Sequence, residues 1–256
     1  MPKRKDVQPI YTQTFQQRKW FISVILIILA LLTFLGMLIF NHYRYQNALK
    51  KYPIRGVSLS QTDGYVDFAA LKKAKVNFVY LKASQGATYT DDSFNSNFSR
   101  SQGAQLPIGI YHVFSFSSTA TAQFDNLVDQ VDSNTGVLPI AIQVELYGDY
   151  NDESINWKQE QTRLTSLKNK IWRYYKRPVI IWGDQQTLHH LNVKVGRTQQ
   201  TWISDAPINT PNGDATFLQL KGQPEVNMAG TKQEFYQSVF NGNQQKWENY
   251  INQLVN

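Results

Sequence analysis

The chain has 256 residues, 42% of them hydrophobic and 13% aromatic, enough for one large domain with a sizeable core. Its net charge of +7 belongs to one segment: residues 1–52 hold eight Lys or Arg against Asp6 alone, whereas residues 53–256 balance eighteen against eighteen. A basic excess confined to a leader excludes the distributed basic surface that nucleic-acid binding requires. The absence of cysteine excludes disulfide scaffolds, thiolate metal sites and thiol nucleophiles.

Residues 1–19 read as a basic cytoplasmic leader. Trp20 to Phe40, WFISVILIILALLTFLGMLIF, carries 21 residues without a charge. As a helix it measures ~31 Å, matching a hydrocarbon core of ~30 Å. A buried core helix and a cleaved signal peptide are the alternatives, but NHYRYQ after Phe40 offers no small-residue cleavage site. The expectation is a single-pass signal-anchor in the cell membrane with the C-terminal domain outside. Arg44, Lys50, Lys51 and Arg55 follow the span, so the positive-inside bias is slight; Trp20, Tyr43 and Tyr45 suit the two interfaces. Residues 41–53 read as a short linker that reaches ~45 Å at most and holds the domain near the bilayer.

From Ile54 onward, apolar runs with strand character alternate with helical patterns. Strands are predicted at 54–60, 77–84, 107–115, 139–145, 178–184, 201–206 and 215–222, and helices near 67–75, 93–103, 118–131 and 158–176. Short strands that are apolar on both faces, separated by helices, mean a parallel sheet covered by helices. Seven or eight of them favour closure. The predicted class is α/β: a TIM-like (β/α) barrel over residues 54–235 with an incomplete helical ring, preceded by a single transmembrane helix. Residues 236–256 read as an amphipathic helical tail, with Trp247, Tyr250, Ile251 and Leu254 on one stripe.

In such barrels the site lies at the C-terminal ends of the strands. The side chains collected there are Ser58, Lys82, Gln85, His112, Gln143, Glu145, Asp184, Asp205 and Gln219, accompanied by Tyr111, Trp182 and Trp202. Hydroxyls, amides and aromatic faces suit carbohydrate. Gln143 and Glu145, two apart in a strand, point the same way. His112 also fits a hydrogen-bonded barrel histidine, and no metal-ligand spacing or cofactor motif stands out.

These pieces, in order, resemble glycoside hydrolase family 25, the muramidase-type lysozymes: RGVSLSQTDGYVDF, NFVYLKASQG, LPIGIYHVF, QFDNLV, LPIAIQVE, WISDA, FLQLKG and PEVNMAGTKQEF. The resemblance implies a barrel of five regular units followed by strands, peptidoglycan glycan strands as partner, no cofactor, and a Gram-positive source. It also implies carboxylates that this chain lacks. Ser58, Gln85 and Gln143 stand where the family carries acids. Glu145 matches the general acid, and Glu225 occupies the place of a C-terminal aspartate. Glycoside cleavage generally needs an acid and a second group that supports the developing cation. Binding with weak or no hydrolysis is therefore the first expectation. A competent N-acetylmuramidase that recruits Asp184, Asp205 or Asp63 is the second, and a protein-interaction module of the cell-wall machinery the third. Loss of like-charged neighbours would lower the pKa of Glu145 and burial would raise it.

Overall fold

The computed structural model describes residues 11–146, 154–194, 199–208, 213–228 and 230–255. It divides into two units, Met1–Asn47 and Ala48–Asn256. The described residues of the first lie in one helix, α1 (Tyr11–Leu49), whose Arg18–Leu49 stretch is long and apolar enough to cross a membrane. Its apolar side chains lie open, Trp20 at 63%, Leu32 at 60% and Phe40 at 59% exposure, so it is not a buried core helix. The expected linker 41–53 is helical as far as Leu49. Nothing in NHYRYQNAL breaks a helix, and the turn comes only just before Pro53.

The second unit is a closed barrel. Its elements are β1 (Arg55–Leu59), α2 (Phe68–Lys73), β2 (Phe78–Gln85), β3 (Tyr89–Thr90), α3 (Phe94–Gln102), β4 (Ile108–Val113), α4 (Ala120–Val131), β5 (Ile140–Gln143), α5 (Trp157–Tyr175), β6 (Val179–Gly183), α6 (Gln185–His190), β7 (Thr201–Ile203), β8 (Phe217–Gln219), β9 (Glu225–Met228), β10 (Thr231–Glu234), β11 (Tyr236–Phe240) and α7 (Gln244–Val255). The sheet runs β1-β11-β8-β7-β6-β5-β4-β2, and a parallel β1–β2 pairing closes it. Short β3 extends β2 beyond the barrel wall, and β9–β10 is a separate hairpin. Between β7 and β8 the described residues hold no helix, so the helical ring is incomplete there, as expected.

Strands β3, β9 and β10 lie outside the predicted ones, and β11 departs furthest from the sequence reading. Tyr236–Phe240 was expected at the start of a helical tail, but β11 pairs antiparallel with both β1 and β8 and supplies the closing strand. The barrel therefore extends beyond residue 235. Apolar residues at 235, 236, 239 and 240 have helical spacing, and short runs of this kind do not separate helix from strand. Only Gln244–Val255 is the predicted helix.

The barrel interior is aromatic. Phe78, Tyr80, Trp182, Trp202 and Phe217 are fully buried, with Trp182 stacked on Trp202 at 4.0 Å. Two glycines make room: a Cβ on Gly56 would lie 2.2 Å from the Phe78 ring, and one on Gly109 would lie 2.5 Å from Tyr80. The α7 helix closes the end where the parallel strands begin, with buried Trp247 against Phe78, Phe217 and Phe240. The stripe read from the tail is thus covered by its own barrel, and the apolar face is not available to a partner.

Candidate active site

At the opposite end, outside the strand C-termini, lies a polar cleft of about 450 Å³. Of the predicted residues, Ser58, Asp63, Lys82, Gln85, Tyr111, Gln143, Glu145, Trp182, Asp184, Asp205 and Gln219 line it. Ser58 is the last but one residue of β1, Lys82 and Gln85 lie in the C-terminal half of β2, and Gln143 ends β5, so parallel strands deliver all of them to one rim.

Glu145 stands just past β5. Its Oε2 accepts a hydrogen bond from Gln143 Nε2 at 3.2 Å, which confirms that the two side chains share a face. Its pKa is raised above the ordinary glutamate value. Partial burial is the largest cause; the Lys82 ammonium opposes it, and the Asp205 and Asp184 carboxylates reinforce it. Of the two opposing effects read from the sequence, burial therefore prevails, and the two acids nearby add to it although the family positions are neutral. A raised pKa suits a proton donor.

Lys82 donates to Gln85 Oε1 at 2.9 Å and lies over the Tyr89 ring at 4.8 Å. Burial lowers its pKa, while Asp91 and Glu145 hold it up. With an amide at 85 the hydrogen bond survives, but the cation has no carboxylate beside it there. The hydroxyl of Ser58, buried, has no hydrogen-bond partner among the described residues, and Ser58 lines the cleft.

The three acids that might replace lost carboxylates differ in their freedom. Asp184 is committed to the start of α6, accepting from Thr187 N at 2.9 Å and Thr187 Oγ1 at 2.6 Å. Asp63 accepts from Ser60 N at 2.7 Å. Asp205 makes no side-chain hydrogen bond among the described residues, lies exposed on the cleft wall, and acts on Glu145 electrostatically.

Three expected site residues lie elsewhere. His112 is fully buried between Ser84 Oγ at 2.9 Å and Gln123 Oε1 at 3.2 Å, the hydrogen-bonded barrel histidine rather than a sugar ligand. Trp202 is sealed inside the barrel by Trp182, Tyr80 and Phe217, with its indole N–H on Ser238. Its register partner Trp182 reaches the cleft floor, where its N–H donates to Gln219 Oε1 at 3.0 Å. Glu225 sits exposed on the β9–β10 hairpin, paired with Lys232 at 2.7 Å, and does not line the cleft. Thr62, Tyr89, Gln223 and Tyr236 line the cleft without having been singled out. Tyr89 and Tyr236 come from β3 and β11, elements with no strand signal in the sequence.

The sequence profile of glycosyl hydrolases family 25 matches residues 57–245. The autolytic lysozyme of Clostridium acetobutylicum is 30% identical over 171 residues, 64% of this chain and 49% of that protein. This chain thus spans about half the length of that relative. A family 25 glycosyl hydrolase from Bacillus anthracis superposes with a TM-score of 0.69 at 25% identity, covering 77% of this chain and 93% of the other. A bacterial lysozyme from Streptomyces coelicolor superposes at 0.64, with 21% identity and coverage of 78% and 98%. With the barrel closed, the cleft at the strand C-termini and Glu145 on its rim, the chain belongs to glycosyl hydrolase family 25.

Proposed function

We propose that this protein binds peptidoglycan glycan strands at the outer face of the cell membrane, held there by residues 20–40, and hydrolyses them weakly or not at all. The observation that carries this reading is the pairing of Glu145 with an amide. Gln143 supplies a hydrogen bond but no negative charge, and Ser58 and Gln85 repeat the pattern. Aromatic surface from Tyr89, Tyr111, Trp182 and Tyr236 with polar groups around it is the chemistry of a sugar-binding cleft.

A second reading rests on Asp205. Its carboxylate lines the same cleft, raises the pKa of Glu145 and, unlike Asp184 and Asp63, makes no side-chain hydrogen bond among the described residues, which leaves it available to support a cationic transition state. The experiment is incubation of the full chain with purified peptidoglycan. Sedimentation with the glycan without new reducing ends supports binding. Release of reducing ends that both Glu145→Gln and Asp205→Asn abolish supports the hydrolase. Neither sedimentation nor release overturns both. Resistance of the chain to alkaline carbonate extraction from membranes tests the anchor.

A further inference from the structure

Residues 53–256 balance their charges in number but not in space. Parallel strands give it two chemically distinct ends. At the end where strands begin stand exposed Lys51 and Arg55 at the entry to β1, Lys73 at the end of α2 and Lys75 after it, and Arg173 in the last turn of α5 and Lys176 after it. Asp129, Asp132, Asp214 and Glu248 are set against them. At the cleft end the order reverses: Asp63, Glu145, Asp184 and Asp205 face Lys82.

The basic end also carries exposed aromatic surface at the foot of α5. Trp172 is 54% and Tyr174 55% exposed. Lys176 lies over the Trp172 ring at 5.8 Å, and Tyr174 packs edge-on against Phe124, itself capped by Lys170 at 5.7 Å. Tryptophan and tyrosine with interspersed lysine and arginine are the residues that settle at a bilayer interface, where rings sit among headgroups and cations meet anionic lipid. The chain enters the unit at this same end, through Ala48–Ile54 into β1.

We infer that the strand-start end of the barrel, centred on Trp172, Arg173, Tyr174 and Lys176, docks on an anionic lipid surface, so that the cleft opens away from the bilayer. This rests on the reading of residues 20–40 as a membrane anchor. Docking at the basic end turns the acidic cleft outward, where a glycan strand is met.

The absence of cysteine makes the test clean. Full chains carrying Ser133→Cys, in the loop between α4 and β5 at the basic end, or Thr121→Cys, in the first turn of α4 at the cleft end, are spin-labelled and reconstituted into vesicles. One set of vesicles contains phosphatidylglycerol and the other phosphatidylcholine alone. Collision with oxygen, which partitions into lipid, is compared with collision with a water-soluble nickel chelate. The expected result is a shift of the 133 label towards oxygen in phosphatidylglycerol vesicles only, lost at high salt, with the 121 label in water throughout. Joint replacement of Lys73, Lys75, Arg173 and Lys176 by Gln abolishes the shift, while the melting temperature and glycan sedimentation stay unchanged. A 133 label equally wet on both lipids, or a 121 label that shifts instead, overturns the inference. So does protection that appears only on adding a soluble anionic polyphosphate, which assigns the surface to a wall polymer. Failure of the anchor reading is seen separately, as chain lost to alkaline carbonate extraction.

Discussion

Gln143 donates its amide N–H to Glu145 Oε2 across 3.2 Å. A carboxylate in that place would repel an ionised Glu145; the amide instead favours ionisation and contributes no field for a cationic transition state. Gln143→Asp is therefore expected to raise the pKa of Glu145 further. Where one missing electrostatic stabiliser limits the rate, it should also increase reducing-end release by ~10²–10³. A folded Gln143→Asp chain with no gain would show that the losses at Ser58 and Gln85 weigh as heavily.

The titration of Glu145 has a sign that can be read from either side. Lys82 lowers its pKa and Asp205 raises it, against a rise caused chiefly by burial. Lys82→Met should move the pKa up and Asp205→Asn should move it down, followed by carbon-13 NMR of the labelled glutamate carboxyl. Glu145 stays protonated to higher pH than an ordinary glutamate, so any hydrolysis should have its alkaline limb displaced upward and follow the same two directions. Shifts of the same sign in both variants would contradict the electrostatic account.

Much of the barrel was legible because parallel strands, buried on both faces, leave short apolar runs that polar helices separate. The period of two placed Gln143 beside Glu145 without coordinates. What failed was depth and register. Trp182 and Trp202 are neighbours on adjacent strands, yet one meets the cleft and the other is sealed below, a difference of packing that spacing does not encode. Glu225 matched by position in the chain, but its hairpin carries it out to Lys232. β11 was hidden by helical spacing in a run too short to decide, and Tyr236 was hidden with it.

His112 should act on stability rather than on sugar binding. Gln123 Oε1 can only accept, because its amide nitrogen is spent on Ser115 O and Ser118 O, so His112 Nε2 carries the proton and Nδ1 accepts from Ser84 Oγ. Burial pushes its pKa down to about 4. The unfolded chain takes up that proton near pH ~6.5, so stability is complete above this value and is lost as pH falls towards the folded pKa. The loss amounts to ~3 kcal/mol. Asp63, Asp91 and Glu145, with raised values, act in the opposite sense from their unfolded values upward, equally in wild type and variant. His112→Gln should be less stable at neutral pH yet lose less between about pH 7 and about pH 4.5, as urea titrations in mild detergent would show. An unchanged slope would mean the imidazole is already charged in the fold.

The last helix is a structural plug. Trp247 is 7% exposed and meets Phe78 at 5.5 Å, Phe240 at 5.2 Å and Phe217 at 6.4 Å between ring centroids, and Tyr250 donates to Gln200 Oε1 at 2.7 Å. Removing a buried indole costs ~3–5 kcal/mol in lost transfer energy and cavity formation. At this chain length, that loss corresponds to a fall of roughly 10 °C in melting temperature. Trp247→Ala should produce that fall while Glu145, at the far end of the strands, keeps its pKa and the cleft keeps its affinity for glycan. Loss of glycan binding at a temperature where the variant remains folded would show that the plug shapes the cleft through the aromatic stack of Phe217, Trp202 and Trp182, and that the two ends of the barrel are mechanically coupled.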